Sequence, residues 1–162
     1  MSRNLPVRRD LPALGVILVA VIAVMLIGGR ATLPEIPGWY ASLTKPSWTP
    51  PNWVFGPVWT VLYFLMAAAA WLVWRQRRHV AVQAALILWS VQLALNLAWS
   101  LLFFAGHAID LALIDIVLLL GAIVGTILLF LPIHRLAALL MLPYLAWSLY
   151  AASLNAGIVA LN

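Results

Sequence analysis

Three polar side chains recur at one helical spacing in an apolar stretch. Gln92, Asn96 and Ser100 stand at i, i+4 and i+8, so they share one helix face. Trp99 and Phe103 adjoin that stripe. Polar groups inside lipid turn toward the bundle interior. A second row, Pro143, Trp147 and Ala151, has the same spacing, with Tyr144 and Ser148 beside it. Trp59 and Tyr63, four residues apart, make a third face. Converging, these faces would enclose indoles, a phenol, amides and a hydroxyl. That composition suits a large, flat, mostly apolar ligand held by a few polar contacts. Helix-to-helix hydrogen bonding is the competing reading for Gln92 and Ser100. The three indoles, Trp59, Trp99 and Trp147, favour the pocket.

Asp115 is the one acid deep in an apolar segment. Intramembrane carboxylates are costly and often functional. Two roles stand open for it, a structural hydrogen-bond hub and a proton relay. Other chemistry lacks its parts. His79, His107 and His134 sit at segment ends with no metal-ligand spacing such as HExxH, so no metal site is expected. Cysteine is absent, which removes thiolate ligands and cysteine nucleophiles. There is no Ser-His-Asp set that can be placed together, no paired carboxylates and no phosphate loop. Candidates for any catalysis reduce to the oxidisable indoles Trp59 and Trp147, and no cofactor is required.

The elements that must position these residues follow from composition. Of 162 residues 66% are hydrophobic and 8% charged, against about 25% charged in a soluble domain. Such a chain cannot cover a water-facing surface. It reads as an all-α, multi-pass integral membrane protein with the lipid bilayer as its surroundings. Net charge is +5, but the basic residues cluster at the ends of apolar runs, where they set topology. Nucleic-acid binding is not indicated. Five spans are expected, at about 11–29, 53–74, 80–104, 109–131 and 136–158, after a basic tail at 1–10. Five spans do not divide into the paired inverted halves of many secondary transporters. Gly121 and Gly125 form a GxxxG pattern, which permits close packing within the bundle or between two copies.

Residues 30–52 link the first two spans. They carry Pro46, Pro50 and Pro51, with Trp39 and Trp48 between, and Trp53 and Pro57 follow. Proline fixes φ and lowers the entropy of the free chain. Tryptophan offers a wide apolar face and one N–H donor. The combination predicts an ordered lid docked on the bundle. An interfacial aromatic belt is the alternative for Trp39 and Trp48. Arginine asymmetry sets the expected orientation. Arg3, Arg8, Arg9, Arg75, Arg77, Arg78 and Arg135 fall on one side, and Arg30 and Lys45 on the other. The positive-inside rule places the N-terminus in the cytoplasm.

The run WYASLTKPSWTPPNWVFGPVWTVLYFLM resembles the signature of the translocator protein family, also called the tryptophan-rich sensory protein or peripheral-type benzodiazepine receptor family. QLALNLAWSLLFF and PYLAWSLYAASLN match it in the same order. The resemblance covers roughly Leu11 to the C-terminus, and its W-x-P-P-x-x-x-F-x-P-V-W element is specific. It implies a five-helix bundle, often a homodimer, with receptor-like or transport roles. Its ligands would be porphyrins, isoquinoline- and benzodiazepine-type molecules and, in some members, sterols. Ligand contacts carry over to Trp59 and Tyr63, to Asn96, Trp99 and Phe103, and to Trp147 and Ala151. Trp53 and Gln92 join that set from their positions, and Asp115 matches a recurrent family acid. Sterol-binding members carry a tail pattern L/V-x-Y-x-K/R. Here the end reads LNAGIVALN, with no tyrosine and no basic residue, which favours porphyrin over sterol.

Three functions are therefore expected in outline. The chain is a sensor or scavenger of a tetrapyrrole, an enzyme that degrades protoporphyrin in light, or a membrane carrier for porphyrin, sterol or lipid-like molecules. Binding is common to all three. Haem iron is usually held by axial His, Cys or Met. The pocket faces offer no His or Cys, so metal-free protoporphyrin is expected to bind at least as well as haem. Lys45 or Arg30 would meet the propionates.

Overall fold

In lipid no water bonds exposed N–H and C=O groups, so an apolar chain of this kind crosses as helices that satisfy their own backbone. The computed structural model describes residues 11–162. The basic tail at 1–10 lies outside the described residues. The chain is all-α. Five of its helices are long and apolar enough to span a membrane. They are α1 (Leu11–Thr32), α3 (Phe55–Trp74), α4 (Val82–Ser100), α5 (Ile109–Ile133) and α6 (Arg135–Leu161). The short α2 (Trp39–Ser42) lies in the first connection.

Helix ends follow local chemistry. α1 continues three residues past the expected stop at Gly29. A glycine ends a helix by taking positive φ, and no described glycine does so. Gly28 instead lets α1 approach α4. A Cβ there would lie 3.4 Å from Ser100 Oγ. A 3₁₀ turn, Asn52–Val54, leads into α3. Pro57 falls in the first turn of α3, where N–H groups have no intrahelical acceptor anyway. α4 widens into a π turn over Leu101–Ala105, with the Gly106 N–H on Leu101 O at 2.8 Å. Pro132 lies in the last turn of α5, and one extended residue, His134, joins α5 to α6. His134 Nδ1 accepts the Ala137 N–H at 3.4 Å and caps the new helix.

The spans close a ring. α1 packs on α3, α3 on α6, α6 on α5, α5 on α4, and α4 back on α1. Small residues let the axes approach. Ala69, Ala70, Ala85, Ala112 and Ala137 are fully buried among Met66, Ile123, Phe130, Met141 and Tyr144. The outer faces carry Leu, Ile, Val and Phe, such as Val16, Phe64, Ile114 and Leu128, as lipid contact requires. The GxxxG pair divides between two surroundings. A Cβ at Gly125 would meet Leu88 Cδ2 at 2.8 Å, whereas Gly121 faces open space. Gly125 is thus used within the chain.

The first connection is docked, as a lid would be. Lys45 Nζ donates to the carbonyls of Tyr40 (2.7 Å), Leu43 (2.9 Å) and Ala41 (3.2 Å), and lies 4.9 Å from the Tyr40 ring centre. Pro46 fills the notch left by Gly157 on α6, where any Cβ would collide with it. The Tyr150 hydroxyl donates to Trp48 O at 2.7 Å. Asn162 exchanges two hydrogen bonds with the Thr44 backbone, at 3.0 and 2.9 Å. On the other side, His107 Nε2 meets Glu35 Oε2 at 2.9 Å. The His107 ring stacks on Trp39 at 4.1 Å between centres. His107 has φ +52°, a left-handed conformation uncommon outside glycine, and the stack and the Glu35 contact hold it.

Candidate functional site

The lid roofs a cavity of about 490 Å3 at one end of the bundle, within the range of about 300–1,000 Å3 typical of small-molecule sites. Four of the five spans contribute. α3 supplies Trp59 and Tyr63. The end of α4 supplies Trp99, with Phe103 on the π turn. α6 supplies Trp147 and Ala151. The apolar last turns of α1 add Met25 and Gly29, and the lid adds Ile36 and Tyr40.

The aromatic walls form three groups of touching rings. Trp99 stacks on Phe103 at 5.3 Å. Trp39 meets Phe103 edge-on at 5.5 Å. Trp59 lies 5.7 Å from Tyr63 and 6.2 Å from Tyr144. Phe55 meets Trp147 edge-on at 5.8 Å. Offset and edge contacts of this kind add about 0.5–1.5 kcal/mol each beyond area burial, so the walls are preorganised. Burial, with Tyr150 nearby adding to it, holds the Tyr40 phenol above its usual range. It stays neutral at physiological pH.

Polar groups behind the walls are mostly satisfied. The Tyr63 hydroxyl donates to Asn96 Oδ1 at 2.6 Å, and Asn96 Nδ2 donates to the Tyr144 hydroxyl at 3.2 Å. Trp99 Nε1 donates to Asn155 Oδ1 at 3.1 Å, whose Nδ2 donates to Ile109 O at 2.9 Å. These two chains fix Tyr63 and Trp99, the second by tying its indole to α6 and to the start of α5. Trp147 differs. Its buried Nε1–H has no partner among the described residues. The ring lines the cavity, and its neighbours leave this donor without an acceptor.

The structure gathers most, but not all, of the residues expected at the site. Trp59, Tyr63, Trp99, Phe103, Trp147 and Ala151 line the cavity, and Trp53 stands at its mouth, 75% exposed. Asn96 lies one layer behind, acting through Tyr63. Gln92 does not reach the cavity. It is fully buried one turn deeper, with Nε2 3.8 Å from Met66 Sδ. Asp115 does not reach it either. It sits on the inner side of α5, with Oδ2 buried and unpartnered among the described residues. The buried hydrogen-bond hub forms at Asn96 instead. Lys45 is unsuited to meeting propionates, because its ammonium is spread over three lid carbonyls. Arg30, between the lining residues Gly29 and Thr32, is the cation left at that end. Asn155 and the α1 wall were not expected. Asn155 extends the row Trp147, Ala151 by one turn, and that spacing could have found it.

No group of three or more His, Asp or Glu that would hold a metal occurs among the described residues. The cavity lining contains no histidine, and Met25 is its only sulfur. What the arrangement can do is enclose a flat apolar ring system between indoles.

Comparison with known proteins identifies the family. The model of the TspO/MBR family matches residues 16–161. The Tryptophan-rich protein TspO of Archaeoglobus fulgidus is 40% identical over 147 residues, covering 90% of this chain and 94% of that protein. The Translocator protein of Homo sapiens is 40% identical over 146 residues, covering 89% and 86%. Protein CrtK of Rhodobacter capsulatus is 35% identical over 143 residues, covering 87% and 89%. With identity at this level along nearly the whole bundle, the chain belongs to the TspO/MBR family.

Proposed function

We propose that this membrane protein binds a tetrapyrrole, metal-free protoporphyrin first, in the cavity beneath the lid, and serves as its sensor or scavenger. The observation that carries the reading is the wall itself. Three indoles surround an apolar space that offers no histidine or cysteine to an iron. Affinity comes from apolar burial and ring stacking, with the Trp147 N–H and Arg30 for the polar edge. Titration of purified protein with protoporphyrin and with haem, followed in the porphyrin absorption band, tests it. The free base is expected to bind at least as tightly. Far tighter binding of haem would show an axial ligand and contradict the reading.

The unpartnered indole of Trp147 favours a second activity at the same site, light-driven loss of bound porphyrin with dioxygen as oxidant. A carrier role predicts instead porphyrin flux into sealed vesicles at a rate set by this protein.

The N-terminus faces the cytoplasm in this proposal. Arg75, Arg77, Arg78 and Arg135 lie at the end of the bundle away from the lid, and the positive-inside rule supports that side as cytoplasmic. A single cysteine at Ser42, on the lid, should react with an impermeant thiol reagent added outside. One at Gln76 should be protected. The reverse labelling would invert the orientation.

A further inference from the structure

At the end of the bundle away from the lid, an open groove of about 840 Å3 runs from the α3–α4 turn along the outer face of α4. Its head carries Arg77 and Arg78 beside His79, and none of the described acids, Glu35, Asp110 and Asp115, lies in it. Its length is apolar. Ile87 and Val91 form the sides, and the small residues Ser90 and Ala94 leave the floor shallow. Gln83, Ile87, Ser90, Val91 and Ala94 recur on one exposed helix face, as i, i+4, i+7, i+8 and i+11 must.

From this pattern we infer that the groove is a binding site for one anionic phospholipid, distinct from the cavity beneath the lid. Its length matches one leaflet. Gln83 to Ala94 spans eleven residues, about 16 Å of helix rise, and half of a hydrocarbon core is about 15 Å. The charge matches the headgroup. Arg78 is exposed at the head of the groove. His79 Nδ1 accepts the Ala81 N–H at 3.2 Å, which leaves Nε2–H to donate to a phosphate oxygen. Val80, 95% exposed in the turn between them and α4, is an apolar side chain placed where acyl carbon begins. A zwitterionic headgroup would bring a cation back against Arg78, so the site selects for net negative lipid.

Native mass spectrometry of the full-length protein, in micelles containing equal dioleoylphosphatidylglycerol and dioleoylphosphatidylcholine, tests this. Wild type should retain the glycerol lipid preferentially. Arg78→Gln should lower that preference about fivefold, the effect of one basic residue against an anionic lipid surface, and Arg78→Lys should keep it. Ser90→Trp should fill the floor and expel both lipids. Glycerol phosphate, a headgroup without chains, should not compete. Equal retention of the two lipids by wild type, an unchanged preference in Arg78→Gln, or competition by glycerol phosphate would overturn the site. So would Ser90→Trp changing the oligomeric state while lipid is still retained, which would make this face an interface between copies.

Discussion

Asn96→Leu should lower the stability of the bundle by about 2–6 kcal/mol, because it strips two buried tyrosine hydroxyls of their partner at once, at about 1–3 kcal/mol each. Tyr63 donates to Asn96 Oδ1 and Tyr144 accepts from its Nδ2, and both rings are buried. Hydrogen bonds between membrane helices average only about 0.6 kcal/mol when the unfolded helices find other partners. Leucine removes that option for neither tyrosine in the unfolded state but for both in the folded one, so the orphan penalty decides. Unfolding in mixed micelles measures the loss. Repeating the substitution with Tyr63→Phe and Tyr144→Phe already present should recover most of it, since no hydroxyl is then stranded. Ser100→Ala should change little. Its hydroxyl reaches only the Asn96 carbonyl of its own helix, at 3.4 Å. An Asn96→Leu protein as stable as wild type would show that this chain does not hold α3, α4 and α6 together.

The second large effect concerns light. In the proposed site an illuminated porphyrin would lie against Trp59 and Trp147, with an easily oxidised indole within contact and dioxygen as acceptor. Trp147→Phe keeps apolar bulk but removes both the indole and its unpartnered N–H. The expected result is that Trp147→Phe binds protoporphyrin within about tenfold of wild type, a loss of no more than roughly one hydrogen bond. Its porphyrin should bleach far more slowly. Trp59→Phe should slow bleaching as well. Porphyrin absorbance under constant illumination, with and without dioxygen, reads both. Wild-type bleaching in both variants would make the indoles walls and nothing more.

Much of this arrangement was legible in the residues, and the omissions have physical causes. Spacing put Gln92, Asn96 and Ser100 on one face, and they do share it. Spacing along a helix says nothing about depth. Gln92 therefore looked equivalent to Ser100, although Ser100 touches the cavity and Gln92 lies a turn below it. Phe103 and Phe104 both turn inward because the π turn adds a residue to one turn, and no pattern in LLFFA announces that. The α1 wall was invisible for another reason. An all-apolar helix has no polar stripe to mark its inner face, so Met25 and Gly29 resembled lipid-facing neighbours. Asp115 drew attention as a lone buried acid, yet the hydrogen bonds converge on Asn96, which an amide can serve from both ends as donor and acceptor.

The central claim is that the cavity beneath the lid holds the tetrapyrrole, and two alanines on one helix test it most directly. Ala151 lines the cavity, whereas Ala156 is exposed on α6 outside it. Protoporphyrin is titrated onto purified wild type, Ala151→Phe and Ala156→Phe, with binding read from the porphyrin absorption band. Overfilling a packed site costs about 1–3 kcal/mol, so Ala151→Phe should weaken binding by about five- to 150-fold. Ala156→Phe should bind as wild type does. Equal affinity in all three proteins would place the porphyrin elsewhere and contradict the account.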